Sequence, residues 1–465
     1  MSHNPKEETM ERFTQMSTPH PKDYIGKKDF AEPLKLADNQ IFFEGVSIQK
    51  LAETLGTRIY VLSLDQLKRN AQRLQEAFKK YPSFKPCYAL AANHLPQVAQ
   101  TLVDQKFGIE VVNIYELKYT LTQLKNVPYI ICNGVSKSWS SKKQNKNLIQ
   151  TVISLQRERN ITLNFNSIEE IKYTRNLCQK QNIELEAGIS LNLTHRIQNY
   201  EKPSGAARFG IPPEQLPQAI KLLKNSKIKI TTLQSHIGTQ ITQLQKLVQN
   251  AQLLSQYATQ MTKELGTTIE NLNLGGGIAV NYYKTENHPF NPNYTIEEYA
   301  KKTTQQIIKT YQENKASPPT IIIETGRWLT ANIMILIIKA TEISQPLQQH
   351  PWIITDGSAL TDTNDAVWIA QHFEIVNATK PTQKPTQYYN IAGITCDSND
   401  TFAWSKNNTG PRKLPKTQPG DILIVLDVGA YQLALRNTFN LLPKAPIYTP
   451  KGKVINEPNM EINSF

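Results

Sequence analysis

Eight short apolar runs, most of them separated by stretches of helical period, constrain this chain more than any other feature. The runs are Pro86–Leu90, Gly108–Val112, Pro128–Cys132, Ile161–Phe165, Ala187–Leu191, Thr231–His236, Asn271–Leu274 and Thr320–Glu324. Segments such as Leu117–Leu124, Ile168–Gln181, Leu216–Leu223, Leu244–Leu265 and Ile296–Tyr311 lie between them and repeat their apolar residues every three to four positions. Near-continuous apolar runs are what strands buried on both faces require, and helices between them supply parallel crossovers. The pattern predicts an α/β fold, a (β/α)8 TIM-like barrel over residues 57–330. A doubly wound sheet is the structural alternative.

The texture changes after Arg327. Strand-like runs at Ala331–Lys339, Trp352–Thr355, Gln387–Ile394 and Asp421–Val428 are separated by Pro, Gly, Asn and Thr. Residues 331–465 are therefore expected to form a second, mostly β domain of sandwich or barrel type. Residues 1–35 are polar and read as a loose arm.

Composition narrows the function classes. The chain has 465 residues, 39% apolar and 20% charged, which suits two globular domains. No apolar leader opens it, and the most apolar stretch, Ile333–Ile338, is too short to span a bilayer and reads as a strand. Cys87, Cys132, Cys178 and Cys396 show no CxxC spacing, so neither a disulfide framework nor a metal site is expected, and a reducing cytoplasm fits. The net charge of +13 is spread along the chain. Its one dense run, Ser136–Lys146, reads as a solvated loop and helix start, so nucleic acid is not expected as a partner.

Barrel enzymes build their sites where strands end. His236 lies at the end of the sixth run, Gly275, Gly276 and Gly277 follow the seventh, Glu324 to Arg327 close the eighth, and Ala91 follows the first. Singly, each has a plain reading: a packed histidine, a tight turn, a surface ion pair. Together they suit a phosphorylated ring. The amides of Gly275–Gly277 and a following helix start can receive a phosphate, and Thr239 can add a hydroxyl. His236 can lie against the ring, and Glu324 can pair with a pyridine nitrogen.

The ordered series Tyr88–Asn93, Asn133-Gly134-x-x-Lys137, Ala207–Ile211, His236–Gln240, Gly275–Gly277, Glu324–Arg327, Cys396–Asp400 and Gly429-Ala430-Tyr431 resembles the group III (fold-type III) pyridoxal-phosphate decarboxylases, those acting on diaminopimelate, ornithine and arginine. It spans nearly all of residues 45–445. The resemblance implies pyridoxal 5′-phosphate as cofactor, a small amino acid as substrate or ligand, and a head-to-tail homodimer with shared active sites. It implies that residues 36–56 contribute to the β domain. It places His236 on the ring face and Glu324 at the ring nitrogen. Thr239, Gly275, Gly276, Gly277, Gly326, Arg327 and Tyr431 go with the cofactor, and Cys396 and Asp397 reach from the partner subunit towards substrate. Barrel and β domain together would enclose the cofactor.

The departures are as informative as the matches. The family motif Tyr-Ala-x-Lys-Ala-Asn carries the lysine that forms the Schiff base with the cofactor. Here Ala91 occupies that place, and a methyl group cannot condense with an aldehyde. Glu110 stands where the pattern has aspartate, and Ser190 where arginine is common. Asp365-Ala366-x-x-Ile369 replaces the Arg-Pro-x-x-Tyr segment of diaminopimelate enzymes, which removes a carboxylate partner; Asp356 and Asp397 would suit a distal amine. Lys85 precedes Ala91 by six residues and reads as a surface lysine. Two explanations compete for Ala91, a laboratory substitution in an intact site and a natural relative with altered chemistry. The several changes around the Schiff base favour the second. Two functions follow: an amino-acid decarboxylase, or a pyridoxal-phosphate-binding pseudoenzyme or regulatory partner holding its ligand non-covalently. Cys396 is either a substrate-contacting thiol or a buried small residue.

Overall fold

The computed structural model describes residues 19–140, 146–156, 158–200, 208–347, 350–402 and 410–458. Most of the N-terminal arm, the centre of the Ser136–Lys146 run and Ala207 lie outside them. The chain divides into two compact units. One comprises Lys68–Ala279 and Pro292–Trp328; the other comprises the described residues up to Leu67 with Val280–Asn291 and Leu329–Asn456.

The first unit is a closed, all-parallel barrel of eight strands. They are β1 (Phe84–Ala89), β2 (Gly108–Val111), β3 (Ile130–Cys132), β4 (Ile161–Phe165), β5 (Leu185–Ser190), β6 (Ile228–Gln234), β7 (Asn271–Asn273) and β8 (Thr320–Thr325). Each is one of the eight apolar runs, and β8 pairs with β1 to close the ring. Closure leaves no exposed edge, so the strands can be apolar throughout. The helices between them start and stop where the sequence provides caps. Ser167 accepts the Glu170 N–H at the start of Ile168–Gln181, and left-handed Asn182 ends it. Thr295 and Glu298 form a reciprocal capping box ahead of Ile296–Glu313. Gly266, also left-handed, terminates the 22-residue helix Leu244–Leu265.

The second unit is mostly β. An eight-stranded sheet is built around the long strand Met334–Ser344, which pairs with Ile422–Val425, Trp352–Thr355 and Ile59–Leu62. A three-stranded antiparallel sheet of Leu34–Ala37, Gln40–Phe43 and Val46–Ser47 packs in the same unit, around a core that includes Ile41, Phe43, Val61, Ile335, Ile337 and Ile424. The stretch from residue 57 to Leu67, grouped with the barrel in the sequence reading, sits here because Ile59–Leu62 hydrogen-bonds to Met334–Ile337.

This unit also holds a stack of rings. Tyr283 lies between His288 and His372, with centroids 3.8 and 4.1 Å away. His372 Nε2 is 3.3 Å from Glu374, and a buried Lys284–Asp427 ion pair lies in the same unit. No helix among the described residues is long and apolar enough to cross a membrane.

Candidate active site

Polar side chains gather at the C-terminal ends of the barrel strands. Ser190, Gln234 and Asn273 end β5, β6 and β7, and the strand register places them in one row. Asn164, Glu110 and Glu324 are the next-to-last residues of β4, β2 and β8, and Asn133 follows β3. All but Ser190 and Asn133 are buried.

Hydrogen bonds join them into a layer. The Asn133 amide donates to Glu110 Oε1 at 3.1 Å and to Glu324 Oε1 at 2.8 Å, while its own Oδ1 accepts from Asn164 at 2.8 Å. Asn273 donates to Glu324 Oε1 at 2.6 Å, and Gln234 reaches Oε2 at 3.5 Å. Ser190 Oγ donates to Gln234 Oε1. Burial raises the pKa of Glu324 against the pull of these amides. Burial first, and the neighbouring Glu324 charge second, push Glu110 well above the carboxylate range. The charge on Glu324 thus makes ionisation of Glu110 harder.

His236 lies two residues beyond the end of β6. Its ring is open to solvent, yet the protein around it disfavours the imidazolium and lowers its pKa. Gly276 N–H donates to Nδ1 at 3.1 Å, so in the neutral ring Nε2 carries the proton. The glycine is required: a Cβ on Gly276 would stand 2.4 Å from the Glu324 carbonyl oxygen.

The glycine turn differs from the expected phosphate cradle. Gly275 N–H is spent on Asn273 Oδ1 and Gly276 N–H on His236. No helix start follows directly, since the next helix begins at Ile296 and Val280–Asn291 belongs to the other unit. Side chains gather instead: Arg327, buried, donates from Nε to Thr239 Oγ1 at 3.2 Å. Glu324 and Arg327 are both buried, so the surface ion-pair reading does not hold.

Ala91 sits in the single turn Leu90–Ala92 just after β1, exposed, with Ala89 and Ala92 packed beneath Gly326. Ala89 is register-paired with Glu110. The other departures, Glu110 and Ser190, therefore belong to the same end of the barrel as Ala91. Lys85 is exposed at the opposite end of β1, beside a depression also lined by Arg159 and Lys229. Lys137 is fully buried and ion-paired with Glu170 at 2.8 Å.

Cys396, Asp397 and Tyr431 lie in the mostly β unit. Cys396 is a free, exposed thiol whose Sγ accepts from Asn440 at 3.4 Å, which excludes the buried-residue reading. Asp397 caps its own turn by accepting from Asn399. Asp400 is buried and organises the segment, accepting from Ser358, Leu360 and Thr395. Asp356 is engaged by Thr57 and the Lys339 amide. Tyr431 has φ +69°, a left-handed conformation that costs a tyrosine about 1 kcal/mol.

Sequence reasoning singled out Glu324 and His236 but missed Asn164, Gln234 and Asn273. Each is an amide at or next to the end of a barrel strand, a position that carries no periodic mark in the sequence.

Comparison with known proteins agrees with this geometry. The family model for the pyridoxal-dependent decarboxylase, pyridoxal binding domain, matches residues 64–331. The diaminopimelate decarboxylase of Methanocaldococcus jannaschii is 28% identical over 438 residues, covering 90% of this chain and 93% of that one. That of Aquifex aeolicus is 25% identical over 90% of this chain and 92% of its own. The crystal structure of the M. jannaschii enzyme superposes with a TM-score of 0.78 at 26% identity over 92% of this chain and 95% of that one; its complex with L-lysine gives 0.77 with the same identity and coverage. The match takes in more than half of the chain, including the barrel and every residue of its polar layer, and the chain belongs to the pyridoxal-dependent decarboxylase family, whose cofactor is pyridoxal phosphate.

Proposed function

We propose that this protein binds pyridoxal phosphate non-covalently at the C-terminal mouth of its barrel and acts as a ligand-binding relative of the amino-acid decarboxylases, without their turnover. One observation carries the reading: the turn after β1 offers a methyl group at Ala91 where the family motif places an amine. Neither Lys85 nor Lys137 replaces it. Lys85 stands at the far end of its strand, and Lys137 is committed to Glu170.

The residues present fit the ring and the phosphate. Glu324, fed by three amide donors, would take the protonated ring nitrogen. His236 would lie on the ring face, its orientation fixed by the Gly276 N–H. Arg327, Thr239, Gly277 and Gly326 would hold the phosphate. When bound, the cofactor supplies an electron sink for chemistry at the α-carbon of an amine. Nothing in the polar layer offers the displaceable amine through which amines are exchanged onto and off the cofactor, so product release is the function expected to be lost. Glu110 and Ser190 support a natural change, because they lie at the same end of the barrel as Ala91.

The ligand class is a small amino acid, the class to which diaminopimelate and lysine of the relatives belong. A homodimer in the cytoplasm is part of the same proposal. An active decarboxylase is the second reading, favoured by the free, accessible thiol of Cys396 next to Asp397. Two measurements separate the readings: equilibrium dialysis of the purified protein with pyridoxal phosphate, and release of CO2 from diaminopimelate, lysine, ornithine and arginine. Cofactor retention without CO2 release is expected. Sustained CO2 release from any of the four would establish the second reading instead.

A further inference from the structure

The polar layer has more acceptors than donors. Glu110 and Glu324 are 7% and 5% exposed, and one Asn133 amide serves both. Among the described residues, neither carboxyl has a lysine, arginine or histidine within bonding distance; the other bonds to Glu324 come from amides. The side chain at 91 is a methyl, and the one at 190 is a hydroxyl already donated to Gln234.

Asn164, bonded to the same Asn133, adds a further acceptor without a donor. Asn164 is fully buried, and its Oδ1 has no hydrogen-bond partner, although its Nδ2 is engaged with Asn133. That oxygen occupies the space where a side chain on Gly188 would begin; a Cβ there would meet it at 1.9 Å. An unpartnered buried acceptor costs about 1–3 kcal/mol. Two buried carboxyls beside each other, with no cation, can ionise together only if a positive group joins them. What the layer lacks is a cationic donor, and a ligand can bring one.

We propose that this site, read as above as a pyridoxal-phosphate-family pocket, prefers the aminated form of the cofactor, pyridoxamine phosphate, because Glu110 accepts the ligand's own ammonium group in place of a protein cation. Glu110 is the specificity-determining residue. It is register-paired with Ala89, two residues before the site of the absent amine, while Glu324 serves the ring nitrogen. A ligand amine at the ring's 4′ position supplies from the small molecule the positive charge that the protein omits.

The test compares two isosteric probes, neither of which reacts with surface lysines: pyridoxamine phosphate, with a 4′ amine, and pyridoxine phosphate, with a 4′ alcohol. Each is titrated by its intrinsic fluorescence into the full-length protein. The amine is expected to bind about tenfold more tightly than the alcohol, the effect of one charge-assisted hydrogen bond. Glu110→Gln should bring the two affinities together, and Glu110→Asp, which keeps the charge, should retain the preference. Equal binding of the two probes to the unaltered protein overturns the inference but leaves the cofactor-site reading intact, as does a preference that survives Glu110→Gln. Binding of neither probe overturns both.

Discussion

Asn133 is the residue on which the polar layer turns, since both hydrogens of one amide go to two different acids. Replacing it by alanine leaves Glu110 and Glu324 facing each other without a shared donor and strips Asn164 of its acceptor. Asn133→Ala is expected to lower stability by about 2 kcal/mol, read from the urea midpoint, and to weaken pyridoxal phosphate binding together with it. Gly276→Ala tests the backbone beneath the ring. The added methyl would meet the Glu324 carbonyl oxygen at 2.4 Å, and neither backbone can yield without moving β8 or the His236 anchor. Loss of cofactor binding with a stability cost of roughly 1–3 kcal/mol is expected from dialysis and denaturation. At this scale the sequence was partly legible. His236 and Glu324 stand out as titratable residues at strand ends, whereas Gln234 or Asn273 at the end of its strand has no periodic mark and acquires meaning only through its register neighbours.

The strand–helix units were the most legible part of the chain. Parallel strands buried on both faces need uninterrupted apolar runs, so all eight appeared as such, and 3.6-residue periodicity marked Ile168–Gln181, Leu216–Leu223 and Leu244–Leu265 at their observed ends. Ile59–Leu62 was less legible, because four consecutive buried residues look the same whichever sheet they join. The segment Val280–Asn291 gave no sign of leaving the barrel unit, since its polar, turn-rich sequence is what any loop shows. One element-scale contact carries a clear energetic prediction. Lys137, after β3, and Glu170, in the first turn of Ile168–Gln181, form a buried ion pair. Burial lowers the lysine pKa and the glutamate opposes that shift. Glu170→Gln, which strands the ammonium, is expected to cost roughly 3–5 kcal/mol, and Lys137→Met combined with Glu170→Leu to cost less than the single change. Denaturation of the two variants checks the order.

At the scale of the whole molecule, the mostly β unit sets the response to acid. Burial holds His288 and His372 down to pKa values of about 4, against 6.5 for the free ring. Between those values the unfolded chain binds more protons than the folded one, so stability falls as pH drops from about 6.5 to about 4. Glu374, held below its usual range by the His372 hydrogen bond and the Arg412 charge despite its burial, adds to the loss at the acid end of this window as it protonates. Thermal denaturation across that window should show a progressive fall in Tm, and His372→Gln should flatten it. The division into barrel and β unit was legible from the change in texture after Arg327. The participation of N-terminal strands followed only from the family resemblance, because short strands such as Leu34–Ala37 give too little pattern to assign. The central claim is that the barrel keeps a pyridoxal phosphate site and omits its covalent anchor. Borohydride reduction of the cofactor-loaded protein, followed by peptide mass mapping of the unaltered chain and of Ala91→Lys, tests it most directly. No stoichiometric adduct is expected on any barrel lysine of the unaltered protein, and a single one is expected at position 91 in the variant. A stoichiometric adduct on Lys137 or another barrel lysine of the unaltered protein, or none in Ala91→Lys, would contradict it.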